Sequence, residues 1–139
     1  MRLVSPLLRA LDRVSPPVTV RAHCDLPCGV YDPAQARIEA ESVKACMEKH
    51  NASEDETFKA RAIMIKEQRA DLVKHHLWVL WTDYFKPPHL EAHPDLHTLF
   101  WNATKTAGQT KQTTDVAVAE KLLQQVAEID RIFWETKKG

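Results

Sequence analysis

The chain has 139 residues, which suits a single domain with one modest hydrophobic core. Its 19 basic and 19 acidic side chains cancel, so the composition indicates neither a nucleic-acid partner nor a membrane partner. No stretch approaches the ~20 apolar residues that a membrane-spanning helix needs. Three cysteines, an odd number, do not make a disulfide framework and favour a reducing compartment, so we predict a cytoplasmic protein.

Residues 1–22 differ from the rest of the chain in charge, with four arginines against one aspartate. Residues 20–22, Val-Arg-Ala, resemble a small-residue cleavage site of a secretory signal. However, charged side chains and the Ser-Pro-Pro break at 15–17 leave no apolar core of 7–15 residues. We therefore predict a propeptide that a processing peptidase removes in the cytoplasm and that keeps His23 blocked until then.

Residues 23–31, His-Cys-Asp-Leu-Pro-Cys-Gly-Val-Tyr, form a predicted metal-binding hook. Cleavage before His23 would place an α-amine, an imidazole, a backbone amide and the thiols of Cys24 and Cys28 within six residues. The α-amine has a pKa of about 7.7–8.0, so it can release its proton to a metal near neutral pH. Gly29 permits a positive φ directly after the second thiolate.

The donors of the hook favour nickel. The α-amine, the amidate of Cys24 and the thiolates of Cys24 and Cys28 make a planar N2S2 set, a geometry typical of Ni(II) or Cu(II). Because copper tends to oxidise paired thiolates, we predict one nickel ion per chain. The imidazole of His23 is then left as an axial fifth ligand, which suits one-electron chemistry.

Other interpretations of Cys24 and Cys28 remain open on the residues alone. The two cysteines could form a structural disulfide or a pair of buried thiols, since cysteine chemistry depends on environment. The chain could also be a helical bundle that binds nickel or copper without turnover, or a thiol–disulfide module. A free α-amine at His23 discriminates among these, because metal catalysis requires it and a dithiol does not.

The first two predicted helices cover residues 32–50 and 53–85. The first begins at Asp32, with Pro33 at its first helical position. The second is about 32 residues long and begins at a capping box formed by Ser53 and Glu56. In a capping box, each of two side chains three positions apart caps the backbone N–H of the other residue. The two prolines that follow it cannot continue a helix and end it.

The remaining sequence predicts a third helix over residues 94–106, a polar loop over 108–113 and a fourth helix from residue 114. There is no strand-like alternation. The predicted fold is an all-α, antiparallel four-helix bundle at 32–139, preceded by the propeptide at 1–22 and the hook at 23–31. Cys46 is predicted mid-helix, in the core or an interface. Tryptophans are numerous for this length and indicate oligomerisation: Trp78, Trp81, Trp101 and Trp134.

The hook resembles a known family signature. Its order and spacing, H-C-x-x-P-C-G-x-Y, are similar to the mature N-terminus of nickel superoxide dismutases, and the similarity continues through residues 32–39, 86–89 and 132–138. The resemblance implies an enzyme that disproportionates superoxide to dioxygen and hydrogen peroxide by cycling Ni(III) and Ni(II). It also implies a homohexamer of four-helix bundles.

The same resemblance implies roles for residues beyond the metal ligands. Tyr31 matches the tyrosine over the open face of the metal and is the candidate catalytic residue, and Tyr84 matches a second aromatic near the channel. Glu39 matches the glutamate that hydrogen-bonds the axial imidazole, and Arg69 completes that network. A carboxylate there would orient the ring and raise its basicity. Asp25 could donate its backbone N–H to a thiolate. Without the resemblance, Glu39 and Arg69 would be read as a solvated helix face.

Two further groups of histidines have less specific patterns. His89, His93 and His97 recur every four residues, a spacing that on one helix face could make a metal triad. Pro94 breaks the helix between them, so we predict that they do not share a face. The adjacent pair at 75–76 would point about 100° apart on a helix, so one should pack while the other is solvated.

Overall fold

The structure, a computed structural model, describes residues 29–138. Five α-helices lie in this part of the chain: α1 Ala34–Ala52, α2 Glu56–Val79, α3 Pro87–Ala92, α4 Leu96–Lys111 and α5 Val116–Lys138. A π-helical turn, Leu80–Tyr84, continues α2. The residues predicted as propeptide, together with His23, Cys24, Asp25 and Cys28, lie outside the described residues.

Helix α1 begins where the sequence predicts. The carboxylate of Asp32 accepts a hydrogen bond from the backbone N–H of Ala34 at 2.8 Å, and Pro33 carries a helical φ of −67°. The helix ends at Ala52, slightly beyond the prediction. Cys46 lies on this helix, half-buried, and burial raises the pKa of its thiol. A thiol of raised pKa is less reactive, which agrees with the packing role predicted for it.

The start of α2 differs from the prediction. The helix begins at Glu56, and its N-cap is Asp55, whose carboxylate accepts hydrogen bonds from the N–H groups of Thr57 at 2.9 Å and Phe58 at 3.2 Å. Ser53 instead accepts from the N–H of Asp55 at 3.1 Å. The predicted Ser53–Glu56 capping box was therefore wrong, because a carboxylate two residues closer to the helix satisfies the free N–H groups.

The end of α2 contains a feature that the sequence did not predict. Over Leu80–Tyr84 the backbone widens into a π-helical turn, closed by a hydrogen bond from the N–H of Phe85 to the carbonyl of Leu80 at 3.0 Å. The prolines after it begin the short helix α3, a second unpredicted element, since proline suits the first turn of a helix. The π turn rotates the end of α2 and thereby sets the direction of Tyr84.

Helix α4 is longer than predicted. It continues into the segment 108–113, predicted as a polar loop, and ends at Lys111. Gly108 lies within the helix, and a Cβ there would lie 3.3 Å from the Nζ of Lys74 on α2. The side chain of Lys74 therefore covers Gly108 from the neighbouring helix. The tertiary contact therefore offsets the poor helix propensity that favoured a loop.

Buried Lys66 supports the end of α4. This α2 side chain is 1% exposed, and its Nζ donates hydrogen bonds to the carbonyl of Lys111 at 3.1 Å and to that of Thr113 at 2.5 Å. The last carbonyls of a helix have no partner within the helix, and a cation is favourable beside them. Burial lowers the pKa of Lys66, with the charge of Glu67 opposing that effect.

The four long helices form a closed ring in the order α1, α2, α4, α5, each packing on the next and α5 returning to α1. Residues 29–138 contain no strand, so the predicted antiparallel four-helix bundle is confirmed. Apolar side chains of all four long helices share the main core, including Ala36, Leu77, Phe100, Val126 and Phe133. None of the described helices is long and apolar enough to cross a membrane.

Candidate metal centre

The described chain begins at Gly29, the residue after Cys28. Gly29 has φ +70°, the positive value that the sequence predicted, and it leads through Val30 to Tyr31 at the start of α1. Residues 29–31, the last three of the predicted hook, therefore lead directly into α1. The predicted ligands His23, Cys24 and Cys28 lie outside the described residues, as does Asp25.

Tyr31 and Tyr84, predicted as separate site residues, lie together at this end of the bundle. Their ring centroids are 5.7 Å apart with the planes at 53°. Tyr84 also packs against Phe133 of α5 at 4.4 Å and stacks on His89 of α3 at 5.6 Å. The start of α1, the π turn, α3 and the end of α5 thus converge on Tyr84.

The hydroxyl of Tyr84 belongs to a short hydrogen-bond chain. It lies 2.8 Å from the Oγ1 of Thr136, which itself donates to the carbonyl of Phe133 at 2.7 Å. A threonine hydroxyl has one proton, and that proton is committed to the carbonyl. Tyr84 is therefore the donor to Thr136, and its phenolic oxygen keeps its lone pairs as acceptors on the side away from α5.

Lys137 completes this group, and we call Tyr31, Tyr84, Phe133, Thr136 and Lys137 the tyrosine cluster. The Nζ of Lys137 donates to the carbonyl of Gly29 at 3.1 Å and lies 5.2 Å from the ring centre of Tyr84. No motif in the sequence assigned a role to Lys137. The only signal was its place in the C-terminal segment that resembles the family.

Glu39 and Arg69 also lie together, as a pair between α1 and α2. The Nη1 of Arg69 is 3.3 Å and 3.4 Å from the two carboxylate oxygens of Glu39, whose side chain is 15% exposed. The structure therefore does not show a solvated helix face at Glu39. Arg69 precedes Tyr84 by fifteen residues, whereas Glu39 follows Tyr31 by only eight. The pair therefore lies further along the contact between α1 and α2 than the two tyrosines.

His89, His93 and His97 occupy three different environments. His89 stacks on Tyr84, His97 meets Trp81 edge-to-face at 5.0 Å, and the Nε2 of His93 lies 3.9 Å from a carboxylate oxygen of Glu135. Burial lowers the pKa of His89, assisted by the charges of Lys86 and His93. Within residues 29–138 no three histidine, cysteine or acidic side chains are grouped as a metal site.

An all-α bundle whose N-terminal segment carries histidine and cysteine donors defines the class of helical-bundle metalloproteins. The sequence profile of one family, nickel-containing superoxide dismutase, matches residues 18–137. The chain therefore belongs to the nickel-containing superoxide dismutase family. This family is a family of oxidoreductases, and its cofactor is nickel.

Individual relatives agree with the family match. The chain is 64% identical over 125 residues to the superoxide dismutase [Ni] of Streptomyces seoulensis, covering 90% of this chain and 95% of that protein. It is 60% identical to the superoxide dismutase [Ni] of Streptomyces coelicolor over the same shares. A crystal structure of a nickel-containing superoxide dismutase, with nickel ligation corresponding to the oxidized state, superposes with a TM-score of 0.82 at 64% identity. That comparison covers 84% of this chain and all of the solved chain.

Proposed function

We propose that the chain becomes an active superoxide dismutase when residues 1–22 are removed and His23 becomes the N-terminus. One observation carries this proposal. The donor residues at 23–28 are followed in the chain by Gly29, whose carbonyl accepts a hydrogen bond from Lys137 of the tyrosine cluster at one end of the bundle. The family supplies the reaction, the disproportionation of superoxide to dioxygen and hydrogen peroxide.

Four donors of the hook suit nickel chemically. The α-amine of His23, the backbone nitrogen of Cys24 and the thiolates of Cys24 and Cys28 would hold the ion, and the imidazole of His23 would be a further donor. Bound nickel would supply the one-electron exchange between Ni(III) and Ni(II) that the two half-reactions need. Asp25 keeps its proposed role, with its backbone N–H donating to a thiolate.

The tyrosine cluster controls what reaches the hook. Tyr31 and Tyr84 present two phenol rings beside the residue that follows Cys28, so they narrow the approach to small species such as superoxide and water. Since the proton of the Tyr84 hydroxyl is held by Thr136, the Tyr84 oxygen would accept a hydrogen bond from water rather than donate one. Tyr31 matches the family tyrosine over the open face of the metal, and its hydroxyl is our candidate for proton supply to the substrate.

Glu39 and Arg69 are proposed to orient the imidazole of His23. Glu39 follows Tyr31 by only eight residues, on the helix that begins just after the hook. The Nη1 of Arg69, 3.3–3.4 Å from both carboxylate oxygens, would hold this carboxylate in place to accept a hydrogen bond from the ring. Glu39→Ala in processed protein should lower turnover ~10–100-fold with nickel still bound, and unchanged turnover would contradict the role proposed for Glu39.

Exposed tryptophans support an oligomer. Trp78, Trp101 and Trp134 are 51%, 59% and 44% exposed, and large aromatic side chains are enriched at subunit contacts. We propose a homohexamer in the cytoplasm, which light scattering of the processed protein would test.

The central experiment compares the chain that begins at Met1 with one that begins at His23. We expect about one nickel per chain and dismutase activity only in the second, because the first has no α-amine at His23. Cys24→Ser or Cys28→Ser should abolish both binding and activity, since serine oxygens cannot replace soft thiolates. Cys46→Ser, which removes the thiol on α1, is the matched control and should keep both. An active, nickel-loaded protein that still begins at Met1 would overturn the proposal.

A further inference from the structure

Lys137 connects Gly29, the residue after Cys28, with the ring of Tyr84. Its Nζ donates to the carbonyl of Gly29, 3.1 Å away and 108 positions earlier in the sequence. The same ammonium lies 5.2 Å from the ring centre of Tyr84 and 5.4 Å from that of Phe133, distances typical of cation–π contacts. One side chain from the last turn of α5 therefore contacts Gly29 as well as the rings of Tyr84 and Phe133.

The backbone on both sides fixes this contact. Gly29 adopts φ +70°, and a Cβ there would meet no atom within 4 Å. The glycine is therefore needed for its backbone conformation, which turns its carbonyl toward α5, and not for space. On the other side, Thr136 is held by Tyr84 and by the carbonyl of Phe133. This pair of hydrogen bonds anchors the turn that carries Lys137.

We propose that Lys137 is a positioning residue of the nickel site, which holds the carbonyl of Gly29, next to Cys28, and so fixes the residue from which the donor segment 23–28 extends. This inference rests on the proposed function, because it assigns Lys137 to a hook that binds nickel. Ordering a free chain segment costs entropy at every residue. A contact that already restrains Gly29 lowers the remaining cost of closing residues 23–28 around the ion.

Exposure of Lys137 limits the size of the effect. A hydrogen bond from a charged donor contributes more than a neutral one, but this side chain lies at the surface, where water competes for it. We expect nickel to leave a Lys137→Met variant about tenfold faster than the wild type, at the lower end of the range for charged hydrogen bonds. Lys137→Arg keeps the cation and the donor and should retain nickel within about threefold of the wild type.

The experiment uses processed protein beginning at His23. Nickel loss to excess EDTA is followed by absorbance, and hydrogen exchange of residues 23–31 is measured in the metal-free protein. Lys138→Met is the matched control, since it removes an exposed neighbouring charge. Support requires faster nickel loss and faster exchange in Lys137→Met, recovery in Lys137→Arg, and wild-type behaviour in Lys138→Met.

Three results would overturn the inference. The first is nickel retention in Lys137→Met equal to that of the wild type. The second is a defect in Lys137→Arg as large as in Lys137→Met. The third is a loss of nickel that follows a fall in the melting temperature of the whole bundle. A wild-type chain from His23 that binds no nickel would instead refute the proposed function, so the two failures are distinguishable.

Discussion

The hydrogen bond from Tyr84 to Thr136 can be measured by a double-mutant cycle. Tyr84→Phe removes the hydroxyl and keeps the ring, whose packing against Phe133 at 4.4 Å should persist. A neutral hydrogen bond contributes about 0.5–1.5 kcal/mol to stability. Tyr84 is half-buried, so we expect a loss of about 1 kcal/mol, or roughly 4 °C in melting temperature for a bundle of this size.

Thr136→Val leaves the Tyr84 hydroxyl without its acceptor and should also cost about 1 kcal/mol. The double variant then loses the bond only once, so the coupling energy should be roughly 0.5–1.5 kcal/mol. Thr110→Val is the matched control, because the hydroxyl of Thr110 likewise donates to the carbonyl three residues earlier, that of Ala107. Its effect should add to that of Tyr84→Phe within about 0.5 kcal/mol.

Urea unfolding of the metal-free processed chain measures all of these variants by one method. Additive effects of Tyr84→Phe and Thr136→Val would show that the two hydroxyls do not interact, and the assignment of Tyr84 as donor would then fail. In nickel-loaded protein, Thr136→Val should lower turnover in the same direction as Tyr84→Phe. Both variants disturb the phenol of Tyr84, whereas Thr110→Val should leave turnover unchanged.

Three further predictions concern the hook, the end of α4 and the response to pH. His23→Gln in processed protein should keep nickel but lose most turnover and the Ni(III) signal, because only the axial donor is missing; full activity would make the imidazole a bystander. Lys66→Met should lower the free energy of unfolding by about 1–3 kcal/mol, since it leaves two carbonyls without a donor, and an unchanged urea midpoint would contradict this. Burial, and the neighbouring His75, lower the pKa of His76 below 6.5, with Glu39 opposing them. The unfolded chain therefore binds a proton more readily, so stability should fall as pH drops below about 6.5 and level off below the folded pKa. His76→Gln should flatten this dependence in urea titrations, and an unaltered slope would exclude His76 as its source.

The local sequence was sufficient for most helix boundaries and failed where distant residues intervene. Asp32 and Pro33 start α1 because caps act through neighbouring backbone groups. The predicted end of α4 was wrong because Gly108 and the polar residues after it favour a loop locally. The helix continues there because the side chain of Lys74 packs against it and Lys66 donates to its last carbonyl, that of Lys111. Both lysines come from another helix.

The hook shows what the sequence by itself determined. An amine, an amide, an imidazole and two thiols within six residues predict a metal site, since ligand type and short spacing can be read without the fold, and the family signature that they carry points to nickel. The sequence also predicted the histidine pair correctly in outline, with His76 half-buried and His75 exposed. Helical periodicity alone supports that prediction, because adjacent side chains point to different faces.

The surroundings of the hook were decided only by the tertiary structure. Tyr31, Tyr84 and Lys137 are separated by about fifty residues at each step, and nothing in their local sequence says that they meet. Their contacts depend on the π turn at the end of α2 and on the packing of α5 against it. Periodicity shows which face of a helix is buried. Which neighbouring helix packs on that face, and at which position along it, is set by the packing of the whole core.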